Sequence, residues 1–162
     1  MNFRRLVFGA NPRRTSVRIL VLATAAFVTL RWILMPVRAE GISMLPTFES
    51  GRLHFVNRIA YTFAPPARGD IVAIRLAGPH VLYIKRVVAL PGERVRIVEG
   101  QVQINGIGLD EPYVHNRRPW DTEEVQLSPR QYFVAGDNRG MSAADHDFGK
   151  VDAERIIGKV VF

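Results

Sequence analysis

A hydrophobic stretch near the N-terminus constrains the fold of this chain more than any other feature. Twelve uncharged residues run from Ile19 to Leu30, and continuation past Arg31 and Trp32 to Val37 gives nineteen. About 20 apolar residues are enough to cross a bilayer, and a helix satisfies its own backbone hydrogen bonds there. The sequence therefore predicts one transmembrane helix over residues 18–37, with the Arg31 side chain extending to the outer interface.

A cleaved leader is the alternative interpretation of the same stretch. Twelve residues is also the length of a leader's hydrophobic core, and Val37-Arg38-Ala39 offers small residues of the kind found before leader cleavage sites. We favour an uncleaved helix, because the longer stretch to Val37 is sufficient to span the membrane.

The basic charge of the chain is concentrated before and around this stretch. The net charge is +7, yet residues 41–162 carry fifteen basic and fourteen acidic groups and are almost neutral. Five arginines precede the stretch: Arg4, Arg5, Arg13, Arg14 and Arg18. By the positive-inside rule, residues 1–17 form a cytoplasmic basic tail that contacts anionic lipid, and the remainder is exported. The distribution argues against nucleic acid as a partner.

The chain after residue 37 has the pattern of a single mainly β domain over residues 38–162. Alternating apolar residues predict strands at 52–57, 70–76, 81–90, 94–99, 101–104, from 108 onwards, 131–135 and 158–162. Asn105-Gly106 between two such runs predicts a hairpin turn. We expect a partly open β-barrel or sandwich behind one N-terminal membrane helix.

Lys85 is an unusual residue within the longest of these apolar runs. The chain has three lysines and nineteen arginines, and Lys85 would share a strand face with Tyr83 and Val87. Burial lowers the pKa of a lysine, so a buried amine can act as a general base, which arginine cannot. The alternative is an edge-strand lysine whose ammonium group reaches water. Ser43, held between Gly41 and Pro46, is a nucleophile that such a base could activate.

Four sequence blocks carry a resemblance to a known enzyme family. In chain order they are Gly41-Ile42-Ser43-Met44-Leu45-Pro46-Thr47, Gly69-Asp70-Ile71-Val72, Tyr83 to Glu93, and Gly136-Asp137-Asn138-Arg139 with Ser142 and Gly149. The chain resembles the type I signal peptidases, membrane-bound Ser-Lys endopeptidases that remove signal peptides from exported proteins. The resemblance extends from the membrane segment to near the end of the chain, and its β-rich fold expectation agrees with the strand pattern.

The resemblance implies a role for each matching residue of the catalytic centre. Ser43 is the nucleophile and Lys85 the general base, and Ser142 orients the lysine amine. The backbone N–H of Ser43 is one oxyanion donor. Some members place a second donor, a serine hydroxyl, where this chain has Gly41, so the second donor stays open here.

Other matching residues are expected to support the site or to contact substrate. Arg86 is expected to pair with Asp137 and to brace the site from behind. Met44 and Ile84 are expected to shape shallow pockets, since the family selects small residues, usually alanine, at the first and third positions before the cut. For Ile84, packing within the sheet is the competing interpretation.

The segment after Ser142 departs from the family pattern of Asp, Ser and Arg. Ala144, Asp145 and His146 occupy those places, so the usual Asp-Arg salt bridge is absent or is replaced by Asp145 or Asp147 with His146. A Ser-His-Asp triad built on His146 is a second alternative, although it leaves Lys85 unexplained. The remaining histidines at 54, 80 and 115 have no metal-ligand spacing and are expected at the surface.

The resemblance implies exported preproteins as substrates, a bacterial inner-membrane location with the catalytic domain outside, and no metal or cofactor. Two other functions stay open at this stage. One is a peptidase dedicated to a single client, as in conjugative transfer or mitochondrial inner-membrane processing. The other is an inactive membrane-anchored β-domain that lost activity through the altered segment at residues 144–147.

Overall fold

The computed structural model describes residues 11–77, 81–146 and 148–161, and its first element is a long exposed helix. Helix α1, Pro12–Val28, begins after Asn11, whose side chain accepts a hydrogen bond from the Arg14 N–H at 3.4 Å. It continues as a π-helical turn over Thr29–Ile33. The segment Arg13–Ile33 has 21 residues and a mean hydropathy of 1.6, and none of its most apolar part is buried. Its length and composition are sufficient to cross a membrane.

The bounds of this helix differ from those predicted. Helical structure ends at Ile33, whereas the prediction extended it to residue 37, and Leu34–Arg38 forms a β-strand instead. Pro36 disfavours helix at its own position and before it, while an extended backbone gains hydrogen bonds to the strand Leu53–Asn57. The helix also begins earlier, because Pro12 is well suited to a first helical position. Residues 1–10 of the predicted basic tail lie outside the described residues.

Antiparallel strands make up most of the remaining chain, which confirms the mainly β prediction. Their bounds are β1 Leu34–Arg38, β2 Leu53–Asn57, β3 Ile71–Ala77, β4 Val81–Ala89, β5 Arg94–Val98, β6 Gln101–Ile104, β7 Ile107–Gly108, β8 Val125–Gln126, β9 Gln131–Ala135, β10 Gly149–Asp152 and β11 Ile156–Val161. Strands β1, β8 and β10 were not predicted. Strand β1 lies in the apolar stretch that was assigned to the membrane helix, and β8 and β10 are only two and four residues long. The hairpin at Asn105-Gly106 is confirmed, and both residues have positive φ as a tight turn requires.

The strands form two sheets. Seven strands pair in the order β1-β2-β11-β3-β4-β9-β10, and four pair in the order β7-β6-β5-β8. Among the described residues the outer strands β1 and β10 do not pair with each other, so the larger sheet stays open. The expectation of a partly open, sandwich-like β domain is therefore confirmed.

The hydrophobic core lies on both faces of the larger sheet. Alternate residues of β3 point to opposite faces, with Val72 and Ile74 in one cluster and Ile71 and Ala73 in another. The second cluster also contains Met44, beside Ser43, and is covered by Ile84 of β4. This packing joins residues 41–48, the Ser43 segment, to the central strands of the sheet.

Candidate active site

Strand β4 carries Lys85 into the interior of the domain. Lys85 is opposite Val72 of β3, which is fully buried, and is itself 2% exposed. Val87, two residues along β4, is also fully buried. The alternative of a lysine that reaches bulk water from an edge strand is therefore wrong, because its side chain has almost no solvent contact.

The Ser43 segment is held by backbone conformation on one side and by apolar anchors on the other. Gly41 has φ of 94°, a conformation that favours glycine, and its N–H donates to Ser50 Oγ at 3.2 Å. Met44 and Phe48 follow Ser43 and are 5% and 3% exposed. These buried side chains attach the backbone on the C-terminal side of the half-buried Ser43 to the apolar core.

Ser43 and Lys85 line the same groove, which has a volume of about 770 Å³. Its walls come from β1, from the Ser43 segment and from the first half of β4. Other residues that line it include Val37, Ala39, Met44, Tyr83, Ile84 and Asp145. The fold thus brings the serine and the lysine to one cleft, although no local spacing in the sequence connects them.

Two strand edges run along this groove. Strand β1 pairs only with β2 among the described residues, and the part of β4 from Val81 to Lys85 pairs only with β3. Strand β9 joins β4 only from Arg86 onwards. Unpaired strand edges present backbone N–H and C=O groups, so an extended peptide can add to either edge as a further strand.

The turn Gly136–Arg139 holds the Ser43 segment from behind. Asn138 donates two hydrogen bonds of 3.0 Å, from its backbone N–H to the Ser43 carbonyl and from Nδ2 to the Ile42 carbonyl. Gly136 lies so close that a Cβ there would be 2.2 Å from the Ser43 carbonyl oxygen. Glycine is therefore required at position 136 by close approach. Neither contact could be found from the sequence, although both residues belong to a recognised block.

Asp137 is buried and receives bonds from β4 and from the Ser43 segment. Arg86 donates to both carboxylate oxygens, from Nε at 2.8 Å and from the terminal nitrogen at 2.6 Å, so the expected pair is present. The Thr47 hydroxyl donates to the same carboxylate. Arg86 also donates to the Gly69 carbonyl at 2.8 Å and lies 4.0 Å above the ring of Tyr113. Burial opposes the charge of Arg86, but the bonds to Asp137 outweigh it and raise the pKa of Arg86.

A second buried ion pair was missed by the sequence analysis. Arg139 and Glu111 are both fully buried and 2.5 Å apart, and Arg139 Nε donates to the Gly136 carbonyl at 2.9 Å. Glu111 lies in an irregular segment outside every recognised block. The one general rule that points to such a residue is that a buried arginine is paired with a carboxylate. The pair anchors the turn Gly136–Arg139 to the segment that precedes Tyr113.

The segment after this turn begins with Ser142. Its side-chain oxygen accepts a hydrogen bond from the Ala144 N–H at 3.3 Å and caps a 3₁₀ turn over Ala143–Asp145. From this part of the chain, Met141 and Asp145 line the groove. Of the two aspartates expected in a replacement for the salt bridge, Asp145 is exposed and Asp147 lies outside the described residues.

His146 is buried behind the groove and is 2% exposed. Its Nε2 accepts a hydrogen bond from the Gly136 N–H at 2.7 Å, and its ring meets Trp120 edge-on at 4.6 Å. Burial, followed by the positive charges of Lys85 and Arg139, lowers the pKa of His146 to about 3. A backbone interaction with Asn138 acts in the opposite direction, and among residues 11–77, 81–146 and 148–161 no side chain forms a hydrogen bond with Nδ1. This part of the chain therefore supplies no carboxylate to complete a triad on His146.

The other histidines are distributed differently from the prediction. His54 is 7% exposed and stacks on Phe48 at 4.1 Å, because it lies on the inner face of β2 beside buried Val56. The expectation of a surface position is wrong for His54. His115 is exposed, and His80 lies outside the described residues.

Comparison with known proteins identifies the family of this chain. Residues 13–162 match the family described as signal peptidase, peptidase S26. The chain belongs to the S26 signal peptidase family. The match begins within helix α1 and continues through the β domain, so it includes Ser43, Lys85 and the turn Gly136–Arg139.

Several S26 relatives are similar over most of the chain. Signal peptidase I of Leptolyngbya laminosa is 38% identical over 127 residues, which are 74% of this chain and 63% of that protein. Signal peptidase I of Bacillus caldolyticus is 35% identical over 159 residues, covering 87% of this chain and 85% of the relative. Signal peptidase IB of Staphylococcus aureus is 30% identical, with coverages of 90% and 85%. The match thus covers less than two thirds of the length of the Leptolyngbya protein, and 85% of the length of each of the other two relatives.

A solved structure of a signal peptidase I from Enterococcus faecalis V583 is also similar. It is 28% identical in sequence, with a TM-score of 0.46, and the match covers 59% of this chain and 97% of that chain.

Proposed function

We propose that this chain is a membrane-anchored serine endopeptidase that removes signal peptides from exported preproteins. The observation that carries the proposal is the groove lined by both Ser43 and the buried Lys85. Membership of the S26 signal peptidase family supports the same activity. Lysine in place of histidine as the base is a known variant of serine hydrolase chemistry.

The proposed reaction has two steps. Neutral Lys85 takes the proton of the Ser43 hydroxyl while the serine oxygen attacks the scissile carbonyl, and the new lysine proton then passes to the leaving amine. The first step leaves an ester between Ser43 and the signal peptide. In the second step Lys85 takes a proton from water while the water oxygen attacks the ester carbonyl. Lys85 then returns this proton to the Ser43 oxygen as the ester bond breaks, which releases the signal peptide acid and restores the neutral amine and the serine hydroxyl.

The tetrahedral intermediates of both steps need hydrogen-bond donors for the oxyanion. We assign the Ser43 backbone N–H as one donor, and removal of such a donor typically costs about 3 kcal/mol of transition-state stabilisation. Gly41 offers no hydroxyl, so the second donor must be a backbone group or water. The bonds from Asn138 to the carbonyls of Ile42 and Ser43 keep this backbone in one orientation.

Several further residues are proposed to hold Ser43 and Lys85 in position relative to each other. We assign Ser142 to orientation of the Lys85 amine, as the family resemblance implies. Arg86 and Asp137 connect β4 to the turn behind Ser43, and Thr47 connects the same carboxylate to the serine segment. These contacts support a constant distance between nucleophile and base.

Substrate is proposed to bind as an extended strand along the groove. The unpaired edges of β1 and of β4 from Val81 to Lys85 supply backbone partners for it. In an extended peptide, the first and third residues before the cut point to the same side. Met44 and Ile84 lie in one apolar cluster beneath the groove, and we assign them to shallow pockets that admit small side chains such as alanine.

The chain is proposed to sit in a bacterial inner membrane with its catalytic domain outside. The relatives are bacterial proteins, and helix α1 with its π turn is long enough to anchor the chain. Arginines before and within the first turns of this helix favour a cytoplasmic N-terminus. The proposed division is a basic tail, a membrane segment that ends at Ile33, and a peptidase domain from Leu34. Substrate signal peptides lie in the same bilayer, which brings the scissile bond close to the groove.

Cleavage of a defined preprotein tests this function. The full-length chain in detergent micelles is incubated with a preprotein that carries an Ala-x-Ala site, and the products are analysed by mass spectrometry. Wild type should create a new N-terminus after the second alanine, and Ser43→Ala should not. Ser128→Ala, at an exposed loop serine, is the matched control and should cleave like wild type.

The failure outcomes separate the remaining alternatives. A folded wild-type chain that cleaves no preprotein would contradict the proposal and favour an inactive scaffold. Cleavage of only one preprotein in a panel with alanine-rich sites would favour a dedicated-client peptidase. Cleavage that persists in Ser43→Ala would show that another residue is the nucleophile.

A further inference from the structure

The imidazole of His146 has the geometry of a neutral hydrogen-bond acceptor. A ring nitrogen that accepts the Gly136 N–H at 2.7 Å cannot itself carry a proton, so the hydrogen of the neutral ring is assigned to Nδ1. The ring is held in one orientation by the edge-on contact with Trp120. The positive groups that face it are Lys85 from β4 and Arg139 from the turn, and both disfavour the imidazolium form.

Gly136 transmits the position of this ring to the Ser43 segment. A Cβ at Gly136 would lie 2.2 Å from the Ser43 carbonyl oxygen and 2.7 Å from His146 Nε2, so the glycine is enclosed between the two. Two residues further on, Asn138 donates to the Ser43 carbonyl. A shift of the imidazole would therefore move the turn and, with it, the backbone that orients the Ser43 hydroxyl.

We infer that His146 is a positioning residue, which holds Gly136 against the Ser43 carbonyl through its Nε2 acceptor and thereby orients the nucleophile. The inference rests on the proposed function, since it concerns Ser43-dependent cleavage. It also accounts for the departure from the family pattern, because Ala144 and His146 replace an acidic and a basic residue. In this chain a neutral acceptor, held by burial, takes the place of a salt bridge behind the turn.

Three substitutions at position 146 separate positioning from packing. The amide oxygen of His146→Gln can occupy the place of Nε2, whereas the shorter amide of His146→Asn reaches only the place of Nδ1. His146→Leu preserves volume without an acceptor. We expect His146→Gln to keep kcat within about 10-fold of wild type, and the other two to lose about 10²-fold, as misplacement by about 1 Å does. KM should change little, because no groove contact is removed.

The pH profile separates a positioning role of His146 from a role as the catalytic base. His146→Gln should retain the acid limb of the wild-type profile, since Lys85 and not the histidine loses the relevant proton. Equal kcat in His146→Asn, His146→Leu and wild type would overturn the inference. Disappearance of the acid limb in His146→Gln would also overturn it, because the histidine would then be the base.

The tautomer of the wild-type ring can be measured without any cleavage. In long-range ¹H–¹⁵N spectra of the full-length chain in micelles, His146 should show a protonated Nδ1 and an unprotonated Nε2 at neutral pH. The opposite tautomer, or a doubly protonated ring, would overturn the inference even if the variants failed to fold. A wild type that does not cleave would refute the proposed function but would leave this spectroscopic test unaffected.

Discussion

At the scale of single residues, Lys85 and His146 are both buried in the domain but have different proposed roles. Lys85 is the proposed base for Ser43, whereas the His146 ring accepts a hydrogen bond from the Gly136 N–H. Burial disfavours the charged form of His146, and the positive charge of Lys85 adds to this effect and lowers the pKa of His146. Exchange of either residue for one with a permanent charge would therefore change the chemistry as well as the packing.

Replacement of Lys85 by arginine should abolish cleavage. Arginine preserves the positive charge but keeps its proton at any accessible pH, so it cannot act as a base. Lys85→Arg and Lys85→Ala should each reduce kcat/KM by about 10²–10⁴-fold, the range for loss of a general base. In wild type, kcat/KM should rise with pH as Lys85 deprotonates. Steady-state cleavage assays check this, with exposed Lys150→Arg as control. Substantial activity of Lys85→Arg would contradict the base assignment.

The depressed pKa of His146 predicts a loss of stability in acid. The folded state keeps the ring neutral down to about pH 3, while the unfolded chain protonates it below its usual pKa of about 6.5. The unfolded state therefore binds more protons, and the free energy of unfolding falls as the pH decreases from about 6.5 towards 3. The melting temperature of wild type in micelles should fall more steeply over this range than that of His146→Gln. Parallel pH curves for the two proteins would contradict this expectation.

At the scale of elements, the turn Gly136–Arg139 connects three parts of the domain. It bonds to the Ser43 segment through Asn138, to β4 through Asp137 and Arg86, and to Glu111 through Arg139. Each connection joins groups that are buried or partly buried, where an unpaired polar group is costly. The turn therefore connects the Ser43 segment to β4, the strand that carries Lys85.

Addition of one methyl group to this turn should disable the site. In Gly136→Ala the new Cβ would lie 2.2 Å from the Ser43 carbonyl, a distance that forces the turn and the serine segment apart. We expect at least about 10²-fold lower kcat/KM, with a lower melting temperature. Ser128→Ala, at an exposed loop serine, is the control and should cleave and melt like wild type. Equal activity of the two variants would show that Gly136 does not set the position of Ser43.

At the scale of the whole molecule, the helix and the β domain meet at a short junction. Helix α1 is exposed along its length, and the Arg58 N–H donates to the Ile33 carbonyl at 2.8 Å where the helical turn ends. Strand β1 starts at the next residue and enters the larger sheet. The core of the β domain is therefore formed by its own strands and the segments between them, and the proposed role of the helix is to anchor the chain in the membrane.

Removal of the helix should separate folding from membrane-associated cleavage. A variant that begins at Leu34 retains β1 and the three apolar clusters, so its β-type circular dichroism and melting temperature should match those of the full chain. Cleavage of a soluble peptide should persist. Cleavage of a preprotein embedded in liposomes should fall by about 10²-fold or more, because the enzyme no longer shares the bilayer with its substrate. Equal rates on embedded preprotein would contradict an anchoring role.

The sequence by itself determined the features that depend on neighbouring residues. Hydropathy over Ile19–Leu30 indicated the helix, alternation indicated most strands, and Asn105-Gly106 indicated the hairpin, because these signals are local periodicities and turn conformations. The proposal that Ser43 and Lys85 form a nucleophile and base also came from the sequence, since it depends on the chemistry of the two side chains and on their positions in recognised blocks.

Tertiary structure alone decided where those groups meet. The helix ends at Ile33 because β2 offers partners to Leu34–Arg38; Pro36 is a local signal against helix, but the pairing with β2 is not visible in the apolar stretch. Burial of His146, its bond to Gly136 and the pairing of Arg139 with Glu111 join residues distant in sequence. Such contacts follow from packing of the complete sheet, and their energies arise from burial and close approach, which exist only in the folded chain.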